Sequence, residues 1–270
     1  MRTSAVRASS SVARVLRDNG ARDPRSARQD DILRMLQQTR QVDVGELAQR
    51  FGVSGMTIRR DLAELDEAGQ LHRVHGGAVI RRAPAYGSRA SIRATEKATI
   101  ARGVAQLVPP GAAIGIDSGT TCHAVAAELA HRNDLTVVTN ALHAAITVRE
   151  GGNRVIVLGG LLTPELSLVN PGTAQQPPQL HLDLLILGCG GLSVDRGITY
   201  FDPTEVQVRS MLVGLADRVV VAADHSKFDH KKAMVLGPLD LIDVLVTDRT
   251  PPEHLRTALA AAGAEVVIAS

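Results

Sequence analysis

The sequence predicts an α/β domain with a mostly parallel sheet behind a small N-terminal helical domain. Three observations carry that expectation. From residue 96 onward, near-continuous apolar strands such as VIVL and LLIL alternate with helical stretches, as in a sheet covered on both faces. Residues 43–80 hold two short helical patterns joined by a glycine turn, then a strand, a bend and a second strand. The charge is lopsided. Residues 1–93 carry 17 Lys and Arg against 10 Asp and Glu, a net of +7, whereas residues 94–270 carry 13 against 18, a net of −5.

A chain of 270 residues fits two domains better than one. The basic first part suggests a polyanion bound at that end alone. Aromatic residues make up 2% of the chain, with no Trp, which argues against stacking platforms for single-stranded nucleic acid. No apolar run approaches the roughly twenty residues of a membrane helix, so no membrane is expected. Cys122 and Cys189 are too few for a disulfide scaffold and fit a reduced, cytoplasmic setting. The nine histidines and two cysteines show no metal-ligand spacing, so neither a metal nor a cofactor is expected.

Residues 1–24, rich in Arg, Ser and Ala, read as a flexible tail. A small DNA-binding domain is expected over residues 25–82. Its first helix runs from Ser26 to Gln38, with Ile32, Leu33 and Leu36 at core spacing. Asp43 can cap the second helix, which buries Leu47, Ala48 and Phe51, and Gly52 supplies the turn. Ser54 caps the third, which Gly69 stops. Ile58, Leu62 and Leu65 face its core, so Met56, Thr57, Arg59 and Arg60 are left in the first turns on the other side. Residues there reach base edges when such a helix lies in a major groove. A solvated Arg pair bridged to Glu64 or Asp66 is the competing reading. Arg73, His75, Arg81 and Arg82, around Gly76-Gly77, would form a wing against phosphates or the minor groove. Together these elements are a winged helix-turn-helix.

Residues 83–95 contain Pro, Gly and Ser without a clear period and read as a linker. In the α/β domain, residues 96–270, strands are expected at 112–116, 136–138, 154–158, 182–187, 218–222, 243–247 and 265–268. Helices are expected at 96–108, 121–131, 141–148, 203–215 and 252–262. Ligands in such sheets bind beyond the C-terminal strand ends. The loop Asp117-Ser118-Gly119-Thr120-Thr121 offers backbone N–H groups and three hydroxyls to an oxyanion or a phosphate. It can equally be a strand-helix turn whose hydroxyls only cap, and the residues leave both readings open. It is not a P-loop. It resembles the phosphate loop of actin-like sugar kinases, but CHAVAAELAHR directly after it reads as a helix, and about 175 residues are too few for their two lobes. Thr139-Asn140, Gly159-Gly160 and Gly188-Cys189-Gly190-Gly191 would face the same way. Asp202 and Glu205 read as caps of one helix, and Lys227 as an ammonium suited to a phosphate.

Long runs also resemble one family. ILRML, ELAQRFGVSGMTIRRDLAELDEAGQLHRVHGGA and, above all, VSGMTIRRDL look like the N-terminal domain of the DeoR family of bacterial transcriptional regulators. EKATIA, IDSGTT, LTVVTN, VIVLGG and ADHSKF extend the resemblance, in order, over nearly everything after residue 28. It implies a repressor that binds a double-stranded operator as a homo-oligomer. It also implies a second domain, similar to the ribose-5-phosphate isomerase fold, that senses a phosphorylated sugar. By that resemblance the phosphate would lie near Ser118, Gly119, Thr120 and Thr121, with Asp117, Thr139, Asn140 and Lys227 completing the pocket. His225, Asp229 and the long run SLVNPG depart from the family pattern. The rival reading is an enzyme, a sugar-phosphate isomerase or kinase with a basic appendage. It would need a carboxylate base, for which Asp117, Asp202 and Glu205 are the candidates.

Overall fold

The computed structural model describes residues 24–39, 41–67, 70–80, 86–169 and 180–270. The tail at 1–23, Gly69, Arg81 and Arg82 lie outside the described residues. The chain divides into two compact units, with the boundary after Ile80.

The first unit comprises α1 (Pro24–Thr39), β1 (Gln41–Asp43), α2 (Val44–Phe51), α3 (Gly55–Glu67), β2 (Leu71–Val74) and β3 (Gly77–Ile80). Ile32 and Leu36 of α1, Leu47 of α2, and Ile58, Leu62 and Leu65 of α3 meet in one core. β1 was not expected. It is three residues long, too short for a readable alternation, and pairs antiparallel with β3, which in turn pairs with β2. That pairing explains the two glycines. Gly76 turns at φ +81°, and a Cβ on Gly77 would lie 2.0 Å from the Val42 carbonyl oxygen. The Gly76 carbonyl accepts the Val44 N–H at 2.8 Å, which ties the hairpin to the start of α2.

Asp61 is a charged side chain in this small core. Arg28 Nε donates to Asp61 Oδ2 at 2.6 Å and fastens α1 to α3. Asp61 is buried, so removing its carboxylate leaves Arg28 without that partner. Asp61→Ala is expected to destabilise the first unit by about 1–3 kcal/mol, since the lost bonds are charge-assisted and partly buried. Chemical denaturation followed by circular dichroism measures this; an unchanged midpoint would rule the bond out as a stabiliser.

The second unit opens with α4 (Tyr86–Ser91) and α5 (Ala94–Ala105). α4 falls where a linker without regular structure was expected. Gly87 and the serines give it poor helix propensity, and tertiary contacts override that. Lys97 Nζ donates to the Arg89 and Ile92 carbonyls and closes its C-terminal end.

All seven expected strands form one sheet: β4 (Ala113–Ile116), β5 (Thr136–Thr139), β6 (Arg154–Val157), β9 (Leu184–Leu187), β12 (Val219–Ala222), β14 (Val244–Thr247) and β15 (Glu265–Ile268). Its order is β15-β14-β12-β9-β4-β5-β6, and every pairing is parallel. Successive side chains point to opposite faces and both faces are covered. Ile114, Leu184, Ile186 and Val220 pack with α5, α6 (Thr120–Leu129) and α7 (Leu142–Glu150). Leu185, Leu187, Val219 and Val221 pack with α8 (Pro203–Val213) and α9 (Glu253–Ala261).

The chain runs from β4 outward to β6 and then returns to place β9 on the other side of β4. This makes β4/β9 the topological switch point, the place where ligands of such sheets bind beyond the strand ends. Smaller antiparallel pieces sit above. They are β7 (Leu161–Leu162) with β8 (Leu168–Val169), and β10 (Gly191–Ser193) with β11 (Gly197–Tyr200) and β13 (Met234–Gly237). None of these short strands was expected.

Candidate nucleic-acid interface and ligand site

The helix-turn-helix is built from its caps. Asp43 accepts the N–H groups of Gly45 at 2.7 Å and Glu46 at 3.1 Å, starting α2. Gly52 ends it at φ 63° and ψ 32°, the left-handed conformation in which glycine carries no Cβ penalty. Ser54 Oγ then accepts the Thr57 N–H at 3.1 Å and bonds the Thr57 hydroxyl at 2.9 Å. With Ile58 and Leu62 buried, Met56, Arg59 and Arg60 are turned to solvent; Met56 is 71% exposed. An exposed methionine that touches no core suits a contact surface.

The arginine pair divides. Arg60 Nε lies 3.5 Å from Glu64, whereas Arg59 has no ion-pair partner among the described residues. An exposed i,i+4 pair contributes about 0.3–0.5 kcal/mol, so a phosphate or a guanine edge competes with it readily. Arg73 and His75 are exposed on β2 and at the hairpin tip.

In the second unit, the loop after β4 lies at the switch point. Asp117, Ser118 and Thr121 are buried, and Thr120 is half-buried. Gly119, at φ 114°, precedes α6, and among the described residues no side chain caps that helix start. The capping alternative for Ser118 and the threonines is therefore not what the structure holds. The first-turn N–H groups of a helix have no intrahelical acceptor, and they concentrate the positive end of its dipole.

The side chains of Asp117 and Ser118 turn inward to Arg209. Arg209 Nε lies 2.9 Å from both Asp117 oxygens, Nη2 donates to Ser118 Oγ at 2.9 Å, and Nη1 donates to Glu205 Oε2 at 3.0 Å. The guanidinium also stands over the Tyr200 ring, 3.8 Å from its centre. Burial raises the Asp117 carboxyl above its ordinary range, with Arg209 opposing. For Arg209, desolvation works against the charge, and Asp117 and Glu205 more than offset it, so it stays cationic. One Nε–H shared between the two Asp117 oxygens, with Nη1 on Glu205, makes this a buried, charge-assisted cluster.

Sequence reasoning missed Arg209 and misread Glu205. Asp202 does cap α8, accepting the Thr204 N–H at 2.8 Å. Glu205 instead is buried between Arg209 and Ser167, whose hydroxyl donates to Glu205 Oε1 at 2.6 Å. The i,i+4 spacing of Glu205 and Arg209 was visible. That of Arg209 and Asp117, far apart in the chain, was not.

Thr139 and Asn140 follow β5, beside the β4 loop. The Thr139 hydroxyl donates to the Ile116 carbonyl at 2.6 Å and accepts the Ala141 N–H at 3.0 Å, locking the two strand ends together. Asn140 is buried. Its Nδ2 donates to the Leu168 carbonyl at 3.3 Å, while its Oδ1 has no partner among the described residues. A buried amide oxygen left open needs an explanation, and a ligand or a water is the usual one.

Gly159 and Gly160 follow β6 at the edge of the sheet and are exposed. Lys227 is half-buried in a short 3₁₀ turn, His225–Lys227, beyond β12. Burial pushes the Cys189 thiol, at the end of β9, up to about 12, with the Lys227 ammonium pulling the other way. Cys122 is buried behind the loop and its thiol is raised by burial, which makes it an inert packing residue. His225 Nδ1 lies 2.6 Å from Asp248, and Asp229 adopts φ 59°. Among the described residues no group of three His, Cys, Asp or Glu is arranged to hold a metal. No described helix is long and apolar enough to cross a membrane.

Comparison with known proteins bears on both units. Residues 28–83 match the DeoR-like helix-turn-helix domain and residues 92–249 the DeoR C terminal sensor domain. The glycerol-3-phosphate regulon repressor of Escherichia coli (strain K12) is 34% identical over 237 residues, covering 86% of this chain and 94% of that protein. The transcriptional repressor AccR of Agrobacterium fabrum is 36% identical over 243 residues, covering 85% and 94%. A ribose 5-phosphate isomerase from Methanocaldococcus jannaschii aligns with 49% of this chain and 53% of its own, at 16% identity and a TM-score of 0.38. At that score the fold class rests on the parallel sheet itself. The relatives are named as repressors and not as enzymes. A helix-turn-helix with its reading face open, ahead of a sensor domain matched over most of its length, settles the assignment: the chain belongs to the DeoR family of DNA-binding transcriptional repressors.

Proposed function

We propose that the second unit binds a phosphorylated sugar or polyol at the β4/β9 switch point, and that binding releases the first unit from a double-stranded operator. The observation that carries this is the uncapped start of α6 beside the open Oδ1 of buried Asn140. Backbone N–H groups of the first turn, with Thr120 and Thr121, receive the phosphate. Lys227 supplies a balancing cation, while Asn140 and the Gly159-Gly160 loop meet the rest of the ligand. Asp117, Ser118 and Thr139 shape the loop, their side chains being engaged by Arg209 and by the neighbouring strand end. In the first unit Met56, Thr57, Arg59 and Arg60 read bases, Ser54 sets the helix start, and Arg73 and His75 hold the backbone. One helix-turn-helix covers a single half-site, so the operator-bound form is a homo-oligomer.

The enzyme reading lacks a base. Asp117 is held by Arg209, Asp202 caps α8, and Glu205 is shared between Arg209 and Ser167. The test is a thermal-shift panel of phosphorylated sugars and polyols. A ligand at 100 times its Kd stabilises the folded state by about 2.7 kcal/mol. In Thr120→Val/Lys227→Ala the shift given by the best ligand is expected to vanish, with operator binding intact but unresponsive. A response that survives the double substitution would move the pocket elsewhere, and turnover of the ligand would restore the enzyme reading.

A further inference from the structure

Only residues 81–85 separate β3, the end of the DNA-binding unit, from α4, and α4 is fastened to the sensor at three points. Arg89 forms an ion pair with Glu165, both side chains being mostly buried. Tyr86 packs its ring on His143, at 4.8 Å between centres, and His143 stacks on His123 of α6 at 5.3 Å. His123 lies one turn along α6 from Thr120. Lys97 holds the C-terminal carbonyls of α4.

Glu165 belongs to the turn between β7 and β8, and that turn is wired to the switch-point loop. Thr163 Oγ1 accepts the Glu165 N–H at 3.2 Å and bonds Ser167 Oγ at 2.7 Å. Ser167 donates to Glu205, Glu205 pairs with Arg209, and Arg209 holds Asp117 and Ser118. An unbroken run of polar contacts therefore leads from the α6 loop to α4, the first described helix after residue 85.

We infer that Arg89 and Glu165 are positioning residues, forming a latch that holds α4 against the sensor, that supports operator binding and that an anion in the α6 loop weakens. The inference rests on the proposed phosphate seat. A phosphate entering beside Ser118 draws on Arg209, which loosens its hold on Glu205 and, through Ser167 and Thr163, the turn that carries Glu165. Coupling of this kind is reciprocal: whatever the latch adds to operator affinity, it subtracts from phosphate affinity.

The experiment uses the full chain, a duplex that the protein selects from a random pool, and glycerol 3-phosphate and inorganic phosphate as probes. Glu165→Gln, Arg89→Gln and the double variant are compared for duplex affinity, phosphate affinity by calorimetry, and amide exchange over residues 86–92. Each single variant is expected to bind the duplex about ten-fold more weakly, within the 5- to 150-fold span of typical couplings. Each should retain phosphate binding at least as tight as the unaltered chain and exchange faster over residues 86–92. The double variant should be no weaker than either single one, because the two side chains act as one pair. Duplex affinity unchanged in both single variants overturns the latch. So does loss of phosphate binding in Arg89→Gln alone, which makes Arg89 a ligand contact instead. If the unaltered chain binds neither probe, the phosphate seat itself falls and the latch with it. If it binds a probe while the variants behave as the unaltered chain, only the latch fails.

Discussion

Replacing Arg59 and Arg60 together with alanine is expected to lower operator affinity by two to four orders of magnitude and to leave folding unchanged. The magnitude comes from the contacts each can make. A guanidinium that binds a guanine edge or a phosphate contributes about 1–3 kcal/mol, and about 1.4 kcal/mol is ten-fold in affinity. Folding is spared because neither side chain touches the core and the one ion pair between them, Arg60 to Glu64, is on the surface. Fluorescence anisotropy against a self-selected duplex, across a salt series, reads both parts of the effect. The lost phosphate contacts flatten the salt slope, and the lost base contacts erase the gap between selected and random duplex. A double variant with normal affinity for the selected duplex would remove these residues from the reading face. Ligand-induced stabilisation of the second unit should be the same in variant and parent.

Arg209→Ala is expected to cost about 3–5 kcal/mol, the usual consequence of leaving a buried charge without its partner. In a unit of this size that lowers the melting temperature by about 10 °C. The variant strips two buried carboxylates at once, Asp117 and Glu205. The effect also has a pH signature. Burial already raises the Asp117 carboxyl, and Arg209 is what opposes it. Without the arginine its folded-state pKa stands further above the unfolded value, so the folded form binds more protons. Stability then falls as pH rises through that raised pKa and is recovered below it. The gap between variant and parent should therefore narrow between pH 7.5 and pH 5. A gap that is constant across this range would mean that the carboxylates do not feel the arginine. Arg209→Lys should recover little, because one ammonium cannot serve Asp117, Ser118 and Glu205 from a single plane.

How much of this was legible in the sequence differs by element, for physical reasons. The caps of α2 and α3 were readable because Asp43, Gly52 and Ser54 act through neighbours two to five residues away. The central strands were readable because burial on both faces demands unbroken apolar runs. β1, β7, β8 and β10 were not, since strands of two or three residues leave no period to detect. α4 was hidden for another reason, as it is held by Lys97, Glu165 and the histidine stack and not by its own residues. The site divides in the same way. The glycines, hydroxyls and Lys227 of the candidate site stood out by type and place, whereas nothing in the sequence singled out Arg209. What makes Arg209 central is a carboxylate 92 positions away.

The inward turn of Asp117 and Ser118 has a consequence for how such a sensor diversifies. In the function we propose, the seat at the start of α6 is built from main-chain N–H groups, and the side chains that hold its loop face the interior. On the same proposal, recognition of the rest of a ligand falls to Asn140, the loop at Gly159-Gly160 and the turn at Lys227, each on a different strand end. Substitutions at those positions can change which metabolite is preferred without rebuilding the seat, much as a tool changes its bit and keeps its chuck. A lineage could therefore pass from one phosphorylated compound to another through single exchanges, with the fold and the DNA-reading helix untouched.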